Sequence, residues 1–229
     1  MSEEVRRMFS SIADRYDLLN TVLSLGIHHR WRKKTVKASG ARQGMSVLDC
    51  ATGTGDLAIA FKKAVGSKGK VTGTDFSAEM IRKAPEKAGR LDMKIEWQVA
   101  DAMNLPFDDQ TYDISSIAFG IRNVDDPKHV LREMARVVKP NGKVMVLEFG
   151  QPEGLIKYPY RWHSKYIIPK IGGWISGNRQ AYEYLPETSA AFPAGGAFLR
   201  MMKQTTCFEE CSSTSLMSGI AYIYTGIVR

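Results

Sequence analysis

Leu48-Asp49-Cys50-Ala51-Thr52-Gly53-Thr54-Gly55-Asp56 is the stretch of sequence that decides the fold. The residues before Ala51 have the character of a short buried strand, and the apolar run that begins at Leu57 predicts a helix. Gly53 and Gly55 permit a tight turn in which a ligand can approach the backbone. A strand, a glycine turn and a helix start together are typical of a binding place for a nucleotide-like cofactor.

An acid lies at the distance along the chain that such a turn requires. Asp75 comes about 20 residues after Gly55, at the end of a second predicted strand over residues 71–74. A carboxylate in this position can accept two hydrogen bonds from ribose hydroxyls. We therefore expect Asp75 to bind the ribose of the cofactor.

Two classes of cofactor are compatible with this arrangement. Gly53-x-Gly55-x-x-Ala58 matches the dinucleotide fingerprint, so a nicotinamide enzyme is one interpretation. Asp56 argues against it, because a carboxylate directly after the second glycine would repel a pyrophosphate at the helix N-terminus. S-adenosyl-L-methionine carries a sulfonium and an amino group and no phosphate, and Asp49 and Asp56 can serve those groups. The acidic loop therefore favours S-adenosyl-L-methionine.

The following residues alternate between strands and helices. A third strand ends at Asp101-Ala102, a pair that can offer a side chain and a backbone N–H to an adenine edge. A fourth strand over 114–119, a helix over 130–138 and a fifth strand over 143–149 follow. This succession resembles the class I S-adenosylmethionine-dependent methyltransferases. The resemblance implies an α/β fold with a doubly wound, Rossmann-like sheet of seven mostly parallel strands, closed by an antiparallel hairpin.

Length and composition are consistent with one such domain over residues 1–229. The chain is 44% hydrophobic, and no apolar run reaches the ~18 residues of a membrane span. Residues 1–7 carry charges of both signs, unlike an export signal. The odd number of cysteines, three, predicts reduced thiols in the cytoplasm, and no cluster of His and Cys predicts a metal site.

We expect four parts within this methyltransferase domain. They are a helical cap over 1–43, a cofactor-binding half over 44–150, a lid insertion over 151–200 and a closing segment over 201–229, with its hairpin near 208–228. The density of aromatic residues in the insertion is typical of a lid over an apolar substrate, although ordinary packing would produce the same composition. These aromatic residues are Tyr158, Tyr160, Trp162, Tyr166, Trp174, Tyr182, Tyr184 and Phe192.

The segment after the fourth strand distinguishes among methyl acceptors. Enzymes that methylate nucleobase or glutamine nitrogens usually have Asn/Asp-Pro-Pro-aromatic there, whereas this chain has Gly120-Ile121-Arg122-Asn123-Val124. Together with the preceding Ala118-Phe119, this segment closely resembles the menaquinone and ubiquinone biosynthesis C-methyltransferases. Further motifs of that family follow one another along nearly the whole chain: Arg15-Tyr16-Asp17-Leu18-Leu19-Asn20 with Ser24, Gly26, His28, Trp31 and Arg32; Leu147-Glu148-Phe149 with Pro152; and Tyr182-x-Tyr184-Leu185-x-Glu187 with Phe192-Pro193.

The resemblance implies demethylmenaquinone methyltransferase activity, which is the C-methylation of a polyprenyl hydroquinol by S-adenosyl-L-methionine. The alternative substrate is the ubiquinone precursor 2-methoxy-6-polyprenyl-1,4-benzoquinol. It also implies cofactor-binding roles for Thr54, Asp75, Asp101 and Ala102, beside Asp49, Gly53 and Gly55 of the loop. Three positions depart from the family pattern. Ala118 replaces a Ser near the cofactor, Gly150 replaces another Ser, and Tyr224 replaces a His and would not act as a base near neutral pH.

The reaction requires a nucleophilic ring carbon. A quinone is electrophilic, whereas a hydroquinol that loses a phenolic proton gains electron density on the ortho carbon. We expect Arg122 to stabilise the phenolate and Asn123 to orient the hydroxyl or a water molecule. His163 and Tyr160 are candidate bases. The structural alternative for Arg122 is to cap strand carbonyls or to pair with Asp125 or Asp126.

The positive charge of the chain allows several partners. The formal net charge is +8, and the densest basic run is His28-His29-Arg30-Trp31-Arg32-Lys33-Lys34. An RNA methyltransferase is therefore an alternative, although no RNA-binding motif is present. Attraction to the anionic headgroups of a membrane, where a long-tailed quinol resides, agrees better with the predicted substrate, and a solvated helix face is equally compatible. A cofactor-binding protein without turnover is the third class, and the sequence leaves the choice between monomer and homodimer open.

Overall fold

A seven-stranded sheet with the order β3-β2-β1-β4-β5-β7-β6 forms the centre of the protein. The computed structural model describes residues 3–152, 154–167, 170, 184 and 188–229. The strands are β1 Ser46–Cys50, β2 Lys70–Asp75, β3 Glu96–Val99, β4 Tyr112–Ala118, β5 Val138–Phe149, β6 Phe208–Leu216 and β7 Ala221–Val228. Neighbours among β1 to β5 pair in parallel, while β7 lies antiparallel between β5 and β6. The predicted doubly wound sheet with an antiparallel hairpin is confirmed.

Helices cover both faces of the sheet. They are α1 Glu3–Ile12, α2 Tyr16–Leu23, α3 Ile27–Ser39, α4 Asp56–Val65, α5 Ala78–Ile81, α6 Ala84–Gly89, α7 Pro127–Arg136, α8 Lys157–Trp162 and α9 Gly196–Gln204. Short helical turns comprise Ile121–Asn123, Gly154–Ile156 and His163–Ile167, and residues 188–191 are also helical. Within the described residues, no helix has the length and apolar character that a membrane crossing requires.

Alternate residues of β5 show how the sheet separates two apolar clusters. Val144 and Val146 pack with side chains of α7 and α9, whereas Met145 and Leu147 pack with side chains of α3 and α4. This arrangement follows from the strand geometry, because successive side chains of a strand point to opposite faces. Burial on both faces explains the continuous apolar run from Val144 to Leu147 in β5.

Two predicted boundaries differ from the observed ones for identifiable reasons. The helix predicted over 130–138 is α7, which begins earlier because Asp126 accepts hydrogen bonds from the N–H groups of Lys128 and His129 and so caps it. The strand predicted over 143–149 is the regular part of β5. Val138 already pairs with Tyr112, and the predicted turn forms an irregularity within the strand, with a left-handed φ of 64° at Asn141.

Part of the predicted lid lies outside the described residues. Trp174, Tyr182, Leu185 and Glu187 all belong to that part of the chain. Of the aromatic residues expected in the lid, Tyr158, Tyr160, Trp162, Tyr166, Tyr184 and Phe192 are described.

The strand order places a crevice at the centre of the sheet. From β1 the chain proceeds outward to β3 and then returns to β4 on the other side of β1. In open α/β sheets, ligands bind at the carboxyl ends of the strands where the order reverses in this way. The loop after β1 and the segment after β4 therefore border the expected site.

We expect Gly55→Ala to lower the free energy of unfolding by at least about 2 kcal/mol, the combined scale of backbone strain and overpacking. Gly55 has a φ of 85°, and a Cβ atom there would lie 2.6 Å from the Trp97 ring and 2.9 Å from the Ala84 Cβ. Gly89→Ala is the matched control, because a Cβ at Gly89 meets nothing within 4 Å. Chemical denaturation of both variants tests this account, and equal stabilities would contradict it.

Candidate active site

The loop after β1 is held against the end of β2 by hydrogen bonds. The backbone N–H of Gly53 donates to Asp75 Oδ2 over 2.8 Å, and the N–H of Ser77 donates to the other carboxylate oxygen over 2.9 Å. Burial raises the pKa of Asp75, and these two N–H groups oppose that shift. Left-handed φ angles at Ala51, Gly53 and Gly55 shape the loop. Asp75 thus lies directly beneath the glycine turn, as the spacing predicted.

Asp49 connects three elements under the same loop. Its carboxylate oxygens accept hydrogen bonds from Ser116 Oγ on β4 and from Thr52 Oγ1, each over 2.6 Å. Burial, which leaves Asp49 1% exposed, raises its pKa to about 6, although both hydroxyls act in the opposite direction. Asp49 therefore fixes the loop to β1 and β4, and its carboxylate can act on a cofactor only from below the loop.

Helix α2 covers the cofactor loop through a charged network. Thr54 Oγ1 donates to Asp17 Oδ1 over 2.5 Å, and Lys87 Nζ donates to the other oxygen of Asp17 over 2.6 Å. Asp56 pairs with Lys87 and, over 2.6 Å, with Arg32. Burial acts to raise the pKa of Asp56, but the two cations outweigh it and hold that pKa below its ordinary value. Cations of the chain itself thus already neutralise Asp56.

His28 and His29 approach Asp56 closely enough for the three side chains to share an ion. Two cationic side chains argue against a metal site here, because Arg32 and Lys87 already pair with the carboxylate of Asp56. In addition, His28 Nδ1 lies 2.5 Å from Ser24 Oγ, so this ring nitrogen already has a partner. The group is therefore better described as part of the packing of α3 than as a metal centre.

Asp101 and Ala102 follow β3 at the same edge of the sheet. Asp101 Oδ1 accepts a hydrogen bond from the N–H of Met103 over 2.9 Å, which shapes the turn after the strand. The N–H of Ala100 donates to the backbone oxygen of Asp75 over 3.1 Å. Both half-buried residues therefore lie one strand beyond Asp75, on the side where an adenine would lie if Asp75 bound the ribose.

Tyr16 is a residue of this site that the sequence reasoning did not select. A Cβ atom on Gly53 would lie 4.0 Å from Tyr16 Cε1, so the phenol ring covers the glycine turn. Burial raises the pKa of Tyr16, while the nearby guanidinium groups of Arg32 and Arg122 lower it. The sequence did contain a signal for Tyr16, because it lies in the family motif that begins at Arg15. The resemblance assigned no role to the residues of that motif.

The segment after β4 packs against the loop after β1. Phe119 has a left-handed φ of 56°, an unusual conformation for a bulky residue. A Cβ atom on Gly120 would lie 2.6 Å from the Ala51 Cβ, so only glycine allows this close approach. Ala118, at the end of β4, packs among the partly buried residues of the same face. The predicted acceptor segment and the cofactor loop are therefore adjacent.

Arg122 forms a buried ion pair. Its Nη1 donates to Glu148 Oε1 over 2.8 Å and to the backbone oxygen of Phe119 over 2.6 Å. The two side chains are 3% and 1% exposed. The carbonyl capping considered for Arg122 is thus present, but the acid that pairs with it is Glu148 on β5. Asp126, one of the acids considered, instead caps α7.

Two buried polar atoms of this pair have no hydrogen-bond partner within the described structure. They are Arg122 Nε and Glu148 Oε2. Burial raises the pKa of Glu148, and Arg122 acts against that shift. Buried polar atoms without a hydrogen-bond partner are rare in proteins, and a catalytic role is one explanation for those that occur. The sequence analysis did not select Glu148 as a site residue. The signal that could have indicated it is an acidic residue at the end of an apolar strand.

Aromatic rings form a wall beside the ion pair. The Phe119 and Phe149 ring centroids are 4.4 Å apart, and Trp31 lies 6.3 Å and 6.4 Å from them. The Arg122 guanidinium carbon lies 5.4 Å from the centroid of Phe149. Tyr160 packs against the same apolar cluster. We call Trp31, Phe119 and Phe149 the aromatic wall.

Asn123, His163 and Tyr224 are the other residues that the sequence analysis considered. Asn123 is buried, and its Oδ1 accepts a hydrogen bond from the Tyr184 hydroxyl over 3.2 Å. His163 follows α8, and desolvation lowers its pKa, which favours the neutral imidazole. Among the described contacts, no hydrogen bond joins His163 to Arg122 or Asn123. Tyr224 accepts from the N–H of Gly195 over 2.7 Å, and burial raises its pKa, so it keeps its proton at neutral pH.

Comparison with known proteins identifies the family. The model of the ubiE/COQ5 methyltransferase family matches residues 1–228. The ubiquinone/menaquinone biosynthesis C-methyltransferase of Bdellovibrio bacteriovorus is 53% identical, over 99% of this chain and 97% of that protein. The demethylmenaquinone methyltransferase of Staphylococcus aureus is 39% identical, over 98% of this chain and 92% of that protein.

Solved structures show the same fold at low sequence identity. A SAM-dependent methyltransferase from Thermotoga maritima is 18% identical with a TM-score of 0.68, over 97% of this chain and 99% of that one. Another from Aquifex aeolicus is 23% identical with a TM-score of 0.57, over 86% of this chain and 89% of that one. The family model and the two curated relatives confirm the family predicted from the sequence. Because the family model and these relatives extend over nearly all of its residues, the chain belongs to the ubiE/COQ5 methyltransferase family.

Proposed function

We propose that the protein transfers the methyl group of S-adenosyl-L-methionine to a ring carbon of a polyprenyl hydroquinol and so converts demethylmenaquinol to menaquinol. The observation that carries this proposal is the contact between the cofactor loop and the segment after β4. That segment contributes Phe119 to the aromatic wall and Arg122 to the buried pair with Glu148. The names of the relatives support it, and they include ubiquinone biosynthesis. The alternative substrate is therefore 2-methoxy-6-polyprenyl-1,4-benzoquinol.

The residues at the loop fit S-adenosyl-L-methionine, which supplies an electrophilic methyl group when bound. Asp75 accepts two backbone N–H groups, and a carboxylate has about four acceptor sites, so ribose hydroxyls can still bind to it. Gly53 and Gly55 allow close approach of the ligand, and Thr54 and Asp49 hold the loop in shape. Asp101 and Ala102 are suited to the adenine edge, and Ala118 lies beside the acceptor segment.

The ion pair suits the charge changes of ring methylation. A phenolic O–H bond must break, and the electron density that the ortho carbon gains would form the new C–C bond, while the sulfur would keep the electron pair of its bond to the methyl group. The methylated carbon must then lose its hydrogen as a proton, and the phenolate oxygen must regain a proton, to restore the aromatic hydroquinol. In the resting protein Glu148 neutralises Arg122. If the phenolic proton moves to the free Oε2 of Glu148, the guanidinium charge becomes available to stabilise the phenolate without a net change of charge in the buried site. Asn123 then orients the hydroxyl, and the aromatic wall positions the ring.

His163 and Tyr160 are the other candidate proton acceptors in the proposal. Desolvation lowers the pKa of His163 and so keeps its imidazole neutral and able to accept a proton, and Tyr160 packs against the apolar cluster that contains the aromatic wall. We also propose that residues 151–200 serve as a lid over this wall. The polyprenyl tail of the substrate resides in a membrane, so we propose peripheral contact of the protein with an anionic membrane surface from the cytoplasmic side.

We expect Asp75→Ala to weaken the binding of S-adenosyl-L-methionine by about 1.5–3 kcal/mol, the range for hydrogen bonds to a charged group. The reason is the loss of the acceptor for the ribose hydroxyls. Calorimetric titration measures the affinity, and Asp75→Asn, which keeps one acceptor oxygen, should lose less. A folded alanine variant with unchanged affinity would remove Asp75 from the site. Tight binding of NAD would revive the nicotinamide enzyme.

Methyl transfer should require the reduced substrate, because only the hydroquinol has a nucleophilic ring carbon. The measurement uses labelled S-adenosyl-L-methionine with demethylmenaquinone, either chemically reduced or kept oxidised, and locates the label on the ring. Label on the ring carbon only in the reduced sample is the expected result. Equal rates with the quinone under oxidising conditions would show that the mechanism is wrong.

Arg122→Ala should lower kcat by about 10²-fold or more, the scale for a lost charge-stabilising donor, and leave cofactor affinity within a few-fold. It also leaves Glu148 buried without its partner, which costs about 3–5 kcal/mol of stability. Arg122→Lys should recover part of the rate, because the ammonium keeps the charge and loses the planar fork. Single-turnover transfer and a thermal unfolding curve for each variant separate the two effects.

Glu148→Gln is the matched control for this pair. The amide oxygen can still accept from Arg122 and from the N–H of Phe149, but it cannot take a proton. We expect a lower kcat whose residual value rises with pH, since the hydroxyl must then ionise into solvent. A normal rate with the wild-type pH profile would assign the proton to His163 or Tyr160. Loss of folding in Arg122→Ala with full activity in Arg122→Lys would make the pair structural.

A further inference from the structure

Large apolar side chains project into solvent on one side of the segment that contains α8. Leu155 is 88% exposed, Tyr158 70% and Trp162 59%. They recur at intervals of three and four residues, which places them along one face of a helical segment. We call these three residues the first apolar stripe. Monomeric soluble proteins expose single apolar residues commonly, but an ordered row of large ones marks an interaction surface.

A second row of the same kind lies on α2 and the turn after it. Leu18 is 56% exposed, Val22 37% and Leu25 82%, at intervals of four and three residues. Leu25 also adopts a left-handed φ of 50°, a conformation that is costly for a branched side chain. The chain therefore holds Leu25 in a strained conformation that presents its side chain to solvent. We call these three residues the second apolar stripe.

Residues next to both stripes pack against the apolar cluster that contains the aromatic wall. Ile156 and Tyr160, on the inner side of the α8 segment, pack into the cluster that contains Trp31 and Phe149. Ile27, two residues after Leu25, packs into that same cluster. The first stripe is thus the exposed side of a segment that is anchored on this cluster, and the second stripe directly precedes another such segment.

Helix α3, which follows the second apolar stripe in the sequence, supplies positive charge. Trp31, Arg32 and Thr35 of α3 are buried, and its exposed residues include His29, Arg30, Lys33, Lys34 and Lys37. No acid occurs between Ile27 and Ser39. The face of α3 that projects outward is therefore uniformly basic, and it matches the negative potential of anionic lipid headgroups.

We propose that the two apolar stripes and the basic face of α3 together form a membrane-docking surface for an anionic phospholipid bilayer. The inference rests on the proposed function in one respect, namely that the hydroquinol is delivered from the bilayer to the aromatic wall. Tyr and Trp side chains are favoured at the level of the lipid headgroups, and Leu side chains are stabilised when they enter the boundary of the acyl chains. The lysines bind the headgroups around them.

Charge and side-chain type favour a bilayer over other occupants. A second copy of the chain would bring two basic faces of α3 together, and these repel each other. An RNA would bind the lysines but would leave Leu25 and Leu155 without a partner, because aliphatic side chains offer no flat surface for bases. An anionic bilayer complements the basic face and the apolar stripes at the same time.

The test is co-sedimentation of the full-length protein with vesicles. One vesicle preparation is phosphatidylcholine alone, and the other contains phosphatidylglycerol in addition. We expect binding to the anionic vesicles that weakens with salt. Leu155→Ser/Trp162→Ser should reduce this binding at least about tenfold, and Lys33→Glu/Lys34→Glu should remove the preference for anionic lipid. Leu91→Ser and Lys68→Glu/Lys70→Glu are controls at exposed positions outside the surface and should bind within twofold of wild type.

A second measurement separates this proposal from the proposed function. Methylation of a water-soluble hydroquinol without a prenyl tail should be unchanged in Lys33→Glu/Lys34→Glu and in the two control variants, because these residues lie outside the proposed lid and outside the catalytic and cofactor site. Vesicle binding that follows the pattern above, without any methylation, would sustain the surface and overturn the function. Methylation without vesicle binding by the wild type would overturn the surface. If Leu155→Ser/Trp162→Ser abolished a dimer or an RNA complex and left lipid binding unaffected, the docking surface would belong to that occupant and not to a bilayer.

Discussion

The hydrogen bond from the backbone N–H of Gly53 to the carboxylate of Asp75 joins the end of β2 to the loop after β1. The geometry of that loop depends on it, and α4 begins directly after the loop. Asp49 reinforces the arrangement from below by binding Thr52 and Ser116. Two buried carboxylates therefore fix the conformation of a turn that contains left-handed φ angles.

The N-terminal helices belong to this site and are not an independent appendage. Asp17 on α2 binds Thr54 of the loop and Lys87 of α6, and Arg32 on α3 pairs with Asp56 at the start of α4. The acidic loop is thereby neutralised by cations of the chain itself. Any movement of α2 that admits the cofactor must break the bonds of Asp17. The same helices carry the second apolar stripe and the basic face, so the proposed membrane contact and the cover of the cofactor loop belong to one structural unit.

The pair of Arg122 and Glu148 explains how a charged group can remain in an apolar site. An isolated guanidinium beside the aromatic wall would carry a large desolvation penalty, and Glu148 offsets it. Each partner nevertheless retains one unsatisfied atom. The pair therefore keeps one donor and one acceptor for the substrate hydroxyl that the proposed function brings to it.

The fold and the family could be read from the chain because their signals are local or depend on spacing. The glycine turn, the acid after β2 and the ordered motifs each involve few residues, and strand–helix alternation prescribes a doubly wound sheet. The partners of individual side chains could not be read in this way. Glu148 reaches Arg122 because β5 lies beside β4, and Asp17 reaches Thr54 because α2 folds over the loop. Sequence spacing carries no information on such contacts, since packing and strand register bring the partners together. The two apolar stripes were likewise indistinguishable from core residues until burial separated their inner from their outer sides.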